Sequence, residues 1–367
     1  QKFFVKGRSM SITYYWNNKL DPEYHTHMWT NRICLEKITA IVVKKPIYIF
    51  FVKKPHDNDT VFEVIDSVVG KNYKLIVWFL DHSRFDDYYD ERILQLYQMG
   101  EDIIKITPDM NIKNDYPFKI LNNYSMADTV LEQQQNDRKL IMGLFKKSQK
   151  WGRLKHFLSF NGTPKPHRIN YVNKLYENNL LDYFNISFLP WFTVENNRFN
   201  LTVIEEEMLH VYDSVLLPKE MLPMHLDFGN EFGTSLLNLP LYFNSYIDVV
   251  TMAEYDNKGV YLDEKIYKSF ACLKPFIIVG QYETLKTLKS YGFKTFSPII
   301  NEDYDNEQDS EKRMDMVIQE IKKFSEMPIT EVDRIFWQFK DILVHNFLHL
   351  KKYINDIDDT LIKEICK

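Results

Sequence analysis

A short basic segment near the middle of the chain contains residue types that could bind a phosphate group. Residues 159–168 read SFNGTPKPHR and follow an apolar run. Pro166 suits the first turn of a helix, because its missing N–H would have no partner there in any case. The free N–H groups and the dipole of such a helix attract an anion, and the Arg168 guanidinium can hold a diphosphate through paired hydrogen bonds. The expected nucleotide contacts of this segment are Asn161, Gly162, Lys165 and Arg168. The alternative is an ordinary strand–helix turn with solvated basic side chains.

A second segment, residues 261–268 with the sequence YLDEKIYK, offers an acid and a base at the start of another helix. Asp263 is a favourable N-cap residue. Glu264 and Lys265 then fall in the first turn. A carboxylate there can accept hydrogen bonds from ribose hydroxyls, and an ammonium group can neutralise a leaving phosphate. The alternative is a capping device with an exposed ion pair.

Alternating strand-like and helix-like stretches predict that these segments lie on an α/β scaffold. In the first half of the chain, apolar runs typical of buried parallel strands alternate with stretches of helical periodicity. The predicted strands are 40–43, 47–52, 75–80 and 102–106, and the predicted helices are 61–69 and 89–99. This βαβα order predicts a Rossmann-like domain. Residues 1–36 show no clear periodicity.

The second half repeats the alternation. Its predicted strands are 156–160, 184–189, 247–253, 276–280 and 294–296, and its predicted helices are 167–178, 264–272, 282–290 and a long one from about 332 to 353. A length of 367 residues favours two domains. We expect an acceptor-side domain over 1–150, a nucleotide-sugar domain over 151–350 and a final helix over 351–367. Because ligands of open α/β sheets bind beyond the carboxyl ends of the strands, a cleft between the domains is the expected site.

The helical stretch 128–150 is expected to bridge the two domains, and its end is basic. The cations there are Lys146, Lys147, Lys150, Arg153 and Lys155. A solvated helix face explains these charges equally well.

Residues 254–296, together with the loop at 159–168, resemble the C-terminal domain of fucosyltransferase-like glycosyltransferases of the GT-B type. The resemblance is to members of the kind encoded by phages and large DNA viruses. The shared pattern is an aromatic residue (Tyr261), a short spacer, Glu264-Lys265, a helix, an apolar strand ending in Gly, a second helix and GFKTF. The spacer ends in Thr in that family and in Asp263 here, which also suits an N-cap. The resemblance covers about the second half of the chain.

The resemblance implies two Rossmann-like domains that face a cleft. It also implies transfer of a sugar, such as fucose, from a nucleoside-diphosphate donor to a glycan or other hydroxyl acceptor, with inversion. Arg168, Glu264 and Lys265 would then hold the diphosphate, and Tyr261 would be a further contact of the donor nucleotide. Glu254, which follows the strand at 247–253, is a further candidate for contact with the donor sugar or ribose, and an ordinary strand-end charge is the alternative.

Inversion by single displacement requires a base that accepts the proton of the acceptor hydroxyl. Asp81 and His82 directly follow the predicted strand 75–80, at the end where ligands gather. Asp86 and Asp87 come shortly after. We favour Asp81 or His82 as the base, and an ordinary strand-end loop is the alternative for each of them.

The D-x-D pattern, which GT-A transferases use to hold a divalent ion, would indicate metal-dependent chemistry. The pattern occurs at 57–59, 303–305 and 356–358. A GT-A enzyme built on Asp57 and Asp59 is therefore a rival interpretation. Because a helix terminus and basic residues can replace the ion, we expect neither metal nor cofactor, and the nucleotide-sugar would be a co-substrate. His345 and His349 lack the Glu of an H-E-x-x-H pattern.

The bulk composition limits the remaining classes of function. A net charge of −5 and a pI near 6.1 disfavour a protein that coats nucleic acid, although a nucleic-acid-directed transferase stays open. Three separated cysteines without a CxxC pair favour a reducing, cytoplasmic setting, which would be the host cytoplasm for a viral protein. No apolar run is long enough to cross a bilayer. A non-catalytic glycan-binding or virion protein is the rival from outside the enzymes.

Overall fold

The computed structural model describes residues 12–15, 46–52, 73–79, 86–110, 116–124, 127–162, 165–188, 214–221, 224, 237–256 and 259–367. Within these ranges the chain forms two compact units. The first contains the described residues of Gln1–Thr129, Asn257–Asp263 and Lys351–Lys367, and the second contains those of Val130–Asp256 and Glu264–Leu350. Each unit has a parallel sheet with helices, which confirms the predicted α/β class. The domain limits 1–150 and 151–350 and the final helix at 351–367 stay predictions.

The first unit is built on a five-stranded parallel sheet in the order β1-β2-β3-β4-β6. Its strands are β1 (Ile12–Tyr15), β2 (Ile47–Val52), β3 (Lys74–Phe79), β4 (Asp102–Thr107) and β6 (Lys119–Asn122). Helix α1 (Asp86–Gln98) lies between β3 and β4 in the chain, and the short β5 (Asp109–Met110) pairs antiparallel with β10 (Val260–Tyr261).

The core of the first unit follows from its apolar strands. Strand β3 is buried along its whole length, as expected for a parallel strand covered on both faces. Lys105 of β4 and Asp90 of α1 form a buried ion pair with a nitrogen–oxygen distance of 2.7 Å. This pair connects the helix to the sheet, and removal of one partner alone would leave a costly buried charge.

The second unit has a four-stranded parallel sheet in the order β11-β9-β7-β8. Its strands are β7 (Lys155–Asn161), β8 (Phe184–Phe188), β9 (Ser245–Thr251) and β11 (Phe276–Val279). The helices from residue 127 onward are α2 (Ala127–Asn136), α3 (Arg138–Trp151), α4 (Pro166–Glu177), α5 (Leu239–Asn244), α6 (Glu264–Ala271), α7 (Thr284–Ser290), α8 (Ser310–Ser325), α9 (Ile329–Gln338) and α10 (Lys340–Ile365). No helix of the described ranges is both long and apolar enough to cross a membrane.

The end of α10 belongs to the first unit and is fixed there by polar contacts. Lys74 Nζ donates to the carbonyls of Glu364 and Ile365 at 3.4 and 3.3 Å. A cation at this position also complements the negative end of the helix dipole. Tyr124 Oη donates to the buried carboxylate of Asp358 at 2.7 Å. These contacts make the last turns of α10 part of the packing of the first sheet.

In the second half of the chain, the predictions of a strand at 294–296 and of a single helix at 332–353 are wrong. Two predictions in the first half fall on residues that are not described. Residues 294–296 form no strand, because the backbone N–H and C=O of Lys294 bond to the Asn346 side chain, each at 2.8 Å. The helix predicted for 332–353 is two helices that meet at Phe339. The predicted strand 40–43 and helix 61–69 lie outside the described residues.

Gly280 follows β11 at a point where a side chain has no room. A Cβ atom there would lie 2.8 Å from Ile278 Cγ2 and 2.9 Å from Met252 Cγ. We expect Gly280→Ala to lower the free energy of unfolding by about 1–3 kcal/mol, measured by urea denaturation. The control is Gly143→Ala within α3, where no described atom lies within 4 Å of the new Cβ, so a gain of about 0.5–1 kcal/mol is expected. Equal effects of the two substitutions would contradict this packing argument.

Candidate functional site

The strand order of the second sheet predicts a ligand site at the carboxyl ends of β7 and β9. The strand that follows β7 in the chain, β8, is added on one side of the sheet, whereas β11 is added to β9 on the opposite side. The direction in which strands are added therefore reverses between β7 and β9. In open α/β sheets ligands bind outside the carboxyl ends of the strands at such a reversal. The described strands of the first sheet are added across the sheet in chain order, so that order shows no such reversal. The β7–β9 switch point is therefore where the second unit is expected to bind a ligand.

Asn161, the last residue of β7, holds three strand ends together. Its side-chain oxygen accepts from Thr251 Oγ1 at 2.8 Å, and its Nδ2 donates to Ser159 Oγ at 3.2 Å. Its backbone N–H donates to Ser187 Oγ on β8 at 3.2 Å. The side chain is fully buried. These contacts give Asn161 a role in positioning the loop that follows.

Gly162 begins that loop at the switch point. A Cβ atom built on Gly162 would have no atom of the described residues within 4 Å. Packing against the described residues therefore does not require glycine at this position.

Lys165 and Glu254 connect the chain segments that follow β7 and β9. Lys165 precedes α4, and Glu254 follows β9. The Lys165 Nζ atom lies 2.9 Å from Glu254 Oε1 and 2.5 Å from the carbonyl oxygen of Ala253. The Lys165 side chain is 20% exposed, whereas that of Glu254 is 4% exposed. The structure thus brings together two predicted donor contacts that are far apart in the sequence, with the cation on the accessible side.

Arg168 is more buried than expected for a side chain that binds a diphosphate directly. The residue is 3% exposed, and its Nη2 donates to the carbonyls of Thr251 and Met252, at 3.4 and 3.1 Å. The interaction fixes the end of β9 against the first turn of α4. Arg168 also places a positive charge beneath the helix N-terminus, where an anion is favoured.

Two aromatic rings and an arginine stack next to the first turn of α4. The His167 ring is nearly parallel to that of Tyr255, at 11° with centroids 5.3 Å apart. The Arg313 guanidinium carbon lies 4.4 Å from the centroid of the same Tyr255 ring. His167 Nε2 lies 3.0 Å from the carbonyl oxygen of Met252. Since a carbonyl only accepts, Nε2 carries the proton and the neutral ring has its lone pair on Nδ1.

The electrostatics of the turn keep His167 neutral. Removal from water, followed by the neighbouring Arg168 charge, lowers the pKa of His167 to about 3. The ordinary pKa of histidine is about 6.5, so the unfolded chain binds more protons than the folded one between these values. His167 therefore contributes stability that is complete above pH ~6.5 and is lost as the pH falls toward 3.

The acid sensitivity of the protein tests this assignment. His167→Gln keeps a donor for the Met252 carbonyl. When the pH is lowered from about 7 to about 4, we expect the free energy of unfolding to fall less in this variant than in the wild type. The expected difference is on the order of 2 kcal/mol, because His167 is only half-buried and water screens part of the effect. Urea denaturation at the two pH values measures it. Parallel losses in the two proteins would show that His167 does not titrate in this way.

The second predicted segment is split between the two units. Tyr261 lies in β10, is buried, and pairs with Asp109 in the first unit. Asp263 is buried just before α6. Glu264 and Lys265 begin α6 in the second unit, and their charged atoms lie 3.5 Å apart. Their side chains are 14% and 19% exposed, so both retain contact with solvent as a ligand contact would require.

The candidate bases and the first D-x-D pattern cannot be placed. Asp81, His82, Asp57 and Asp59 lie outside the described residues. Helix α1 begins at Asp86, so Asp86 and Asp87 fall in its first turn.

Three of the four aspartates in the other two D-x-D patterns have structural partners. The Asp305 carboxylate accepts from the backbone N–H groups of Leu285 and Lys286, at 2.7 and 2.9 Å, and so caps α7. Asp356 pairs with Lys352 on the surface of α10, and Asp358 is buried with Tyr124. Among the described residues no group of three metal-binding side chains occurs.

Several residues of the site were not found from the sequence. Tyr255, Thr251 and Arg313 carry no local signal, because each acts through partners that are distant in the chain. Arg313 is the clearest case, since it lies in a polar amphipathic helix and is nevertheless 3% exposed. A buried arginine in such a helix is recognised only once the fold is known.

Comparison with known proteins finds solved structures with a similar backbone but low sequence identity. No protein-family model and no curated protein sequence matches the chain. Among solved structures, a UDP-forming α,α-trehalose-phosphate synthase from Burkholderia xenovorans is 9% identical with a TM-score of 0.47, over 95% of this chain and 80% of that chain. An E. coli structure described as trehalose-6-phosphate bound with UDP-2-fluoro glucose is 12% identical with a TM-score of 0.44, over 89% of this chain and 77% of that chain. At these scores neither activity nor ligand transfers to the chain.

Proposed function

We propose that this chain is a glycosyltransferase whose second unit binds the diphosphate of a nucleotide-sugar donor at the β7–β9 switch point. The observation that carries the proposal is the meeting of Lys165 and Glu254 across that switch point, at 2.9 Å. Lys165 and the α4 N-terminus supply positive charge to a diphosphate. Glu254 supplies an acceptor for sugar or ribose hydroxyls. An anion-binding helix end and a hydroxyl-binding carboxylate at the same switch point match the two chemical parts of a nucleotide-sugar.

The reaction uses the same groups. As the bond between the sugar and the diphosphate breaks, negative charge grows on the leaving phosphate, and fixed cations stabilise it without reorganisation. Because Arg168 donates to strand-end carbonyls, we assign it a positioning role and give the direct phosphate contact to Lys165. Glu264 and Lys265 form the second part of the proposed donor site. In the proposal, Asp81 or His82 is the base for an inverting transfer, fucose is the candidate sugar, and no metal is required.

A thermal-shift screen against GDP, UDP, CDP, ADP and TDP, each with manganese or with EDTA, tests the proposal. A diphosphate at about 100 times its dissociation constant adds about 2.7 kcal/mol of stability. We expect a selective shift with one nucleotide that EDTA does not remove. A shift that requires manganese would instead favour the metal-dependent transferase built on Asp57 and Asp59. No shift with any nucleotide would contradict the proposal and favour a glycan-binding protein without a donor.

Gly162→Ala provides a matched variant for the same screen. Since the added methyl group meets no described atom within 4 Å, the unfolding temperature of the free protein should stay as in the wild type. A donor that lies against this backbone would bind the variant more weakly. A normal nucleotide shift in Gly162→Ala would place the donor elsewhere.

A further inference from the structure

Helix α3 carries an exposed apolar stripe beside an exposed basic stripe. The apolar side chains Leu140 and Trp151 are 54% and 72% exposed, and Leu154, just beyond the helix, is 76% exposed. Leu144 is half-buried between them. Lys139, Lys146 and Lys150 are exposed on the adjacent part of the helix. We refer to these seven residues as the α3 surface.

The packing of α3 explains why these apolar groups stay outside. Ile141, Phe145 and Ser148 form the buried face, at helical spacing. The Phe145 ring contacts those of Phe336 and Trp337, with centroids 6.3 and 5.2 Å away. With this face fixed against α9, the helix cannot turn Leu140 or Trp151 inward.

The charge of α3 is entirely of one sign. Its sequence, RKLIMGLFKKSQKW, contains five cations and no carboxylate. The whole chain carries a net charge of −5, so this concentration of positive charge is local. Lys147 Nζ lies 5.6 Å from the centroid of the Trp151 ring, which places charge and exposed aromatic surface side by side.

From this arrangement we infer that the α3 surface binds a bilayer that contains anionic phospholipid, with α3 lying along the interface. Lysines next to an apolar stripe with a tryptophan are typical of interfacial helices, where the rings and leucines enter the headgroup region and the ammonium groups reach lipid phosphates. A nucleic acid would use the lysines and leave Leu140 and Leu154 without a function. The charge complementarity and the apolar stripe together favour the bilayer.

Vesicle sedimentation of the full chain tests the inference. We expect binding to phosphatidylcholine vesicles that contain about 30 mol% phosphatidylserine, and little binding to phosphatidylcholine alone. Lys146→Gln/Lys150→Gln should lower the partition coefficient about 25-fold, since each basic residue contributes about fivefold. The matched control, Lys312→Gln/Lys322→Gln on α8, removes the same charge from two exposed positions and should bind as the wild type does.

Trp151→Ser tests the apolar part. It should weaken vesicle binding and leave the dependence on salt as it is in the wild type. Because Trp151 is exposed, the thermal unfolding midpoint should not change. Failure of the wild type to bind the anionic vesicles, or equal binding by the Lys146→Gln/Lys150→Gln variant, would overturn the inference. Stronger binding to duplex DNA than to the vesicles in the same buffer would also overturn it and assign the surface to nucleic acid.

Discussion

Arg313→Ala is expected to lower the free energy of unfolding by about 4 kcal/mol. Arg313 Nε donates to the carbonyl of Gly280 at 3.0 Å, and its Nη2 donates to that of Tyr255 at 3.0 Å. Its Nη1 donates to the carbonyls of Glu307 and Gln308, at 2.9 and 3.1 Å. Truncation would leave these loop carbonyls short of a donor and remove a cation from the Tyr255 ring, so the loops beyond β9 and β11 would lose a common anchor.

Thermal or urea unfolding measures this effect, with two comparison variants. Arg313→Lys keeps the charge but cannot reproduce the planar fork, so an intermediate loss is expected. Arg334→Ala removes an exposed arginine that pairs with Glu331 at 2.6 Å, and should leave the free energy of unfolding close to that of the wild type. A similar stability of Arg313→Ala and Arg334→Ala would show that Arg313 is not the anchor of these loops.

Lys165→Met is expected to reduce the affinity for the preferred nucleoside diphosphate about 100-fold, equivalent to about 2.7 kcal/mol. It should also destabilise the free protein by about 3 kcal/mol, because the nearly buried Glu254 carboxylate loses its cation. The double variant Lys165→Met/Glu254→Gln removes both charges and should regain most of that stability. Its nucleotide affinity should stay low, which separates ligand binding from folding.

Isothermal titration calorimetry and urea denaturation of the wild type, Lys165→Met and the double variant measure these effects. Lys174→Met is the control, because Lys174 lies on the same helix and pairs with Asp315 at 2.6 Å. Its diphosphate affinity should match that of the wild type. If the double variant recovered both stability and affinity, Lys165 would be a structural partner of Glu254 and the phosphate contact would lie elsewhere.

The parts of the fold that the sequence predicts correctly are those with strong local signals. The LIVWF run of β3 and the Pro166 start of α4 are examples, because an apolar run and an N-terminal proline act through neighbouring residues. The predicted strand at 294–296 is wrong for the opposite reason, since its backbone groups bond to a side chain of a distant helix. Such competition leaves no trace in a local pattern.

The residues of the candidate site also fall into those with a local sequence signal and those without one. Lys165 and Glu254 could be predicted because each follows a recognisable strand, and parallel strands end at the same edge of a sheet. The inward placement of Arg168 could not, because it depends on the carbonyls at the end of β9. The stacking of His167 on Tyr255 also depends on tertiary contacts that spacing does not encode.

The first unit is discontinuous in sequence, since Lys351–Lys367 belongs to it and is separated from Gln1–Thr129 by the second unit. During synthesis, Lys74 and Tyr124 leave the ribosome long before their partners Ile365 and Asp358 exist. The first unit therefore cannot complete its packing until the second unit has been translated. A fragment that ends near residue 150 would lack this closing segment, and separate expression of the two halves would yield an incomplete first half.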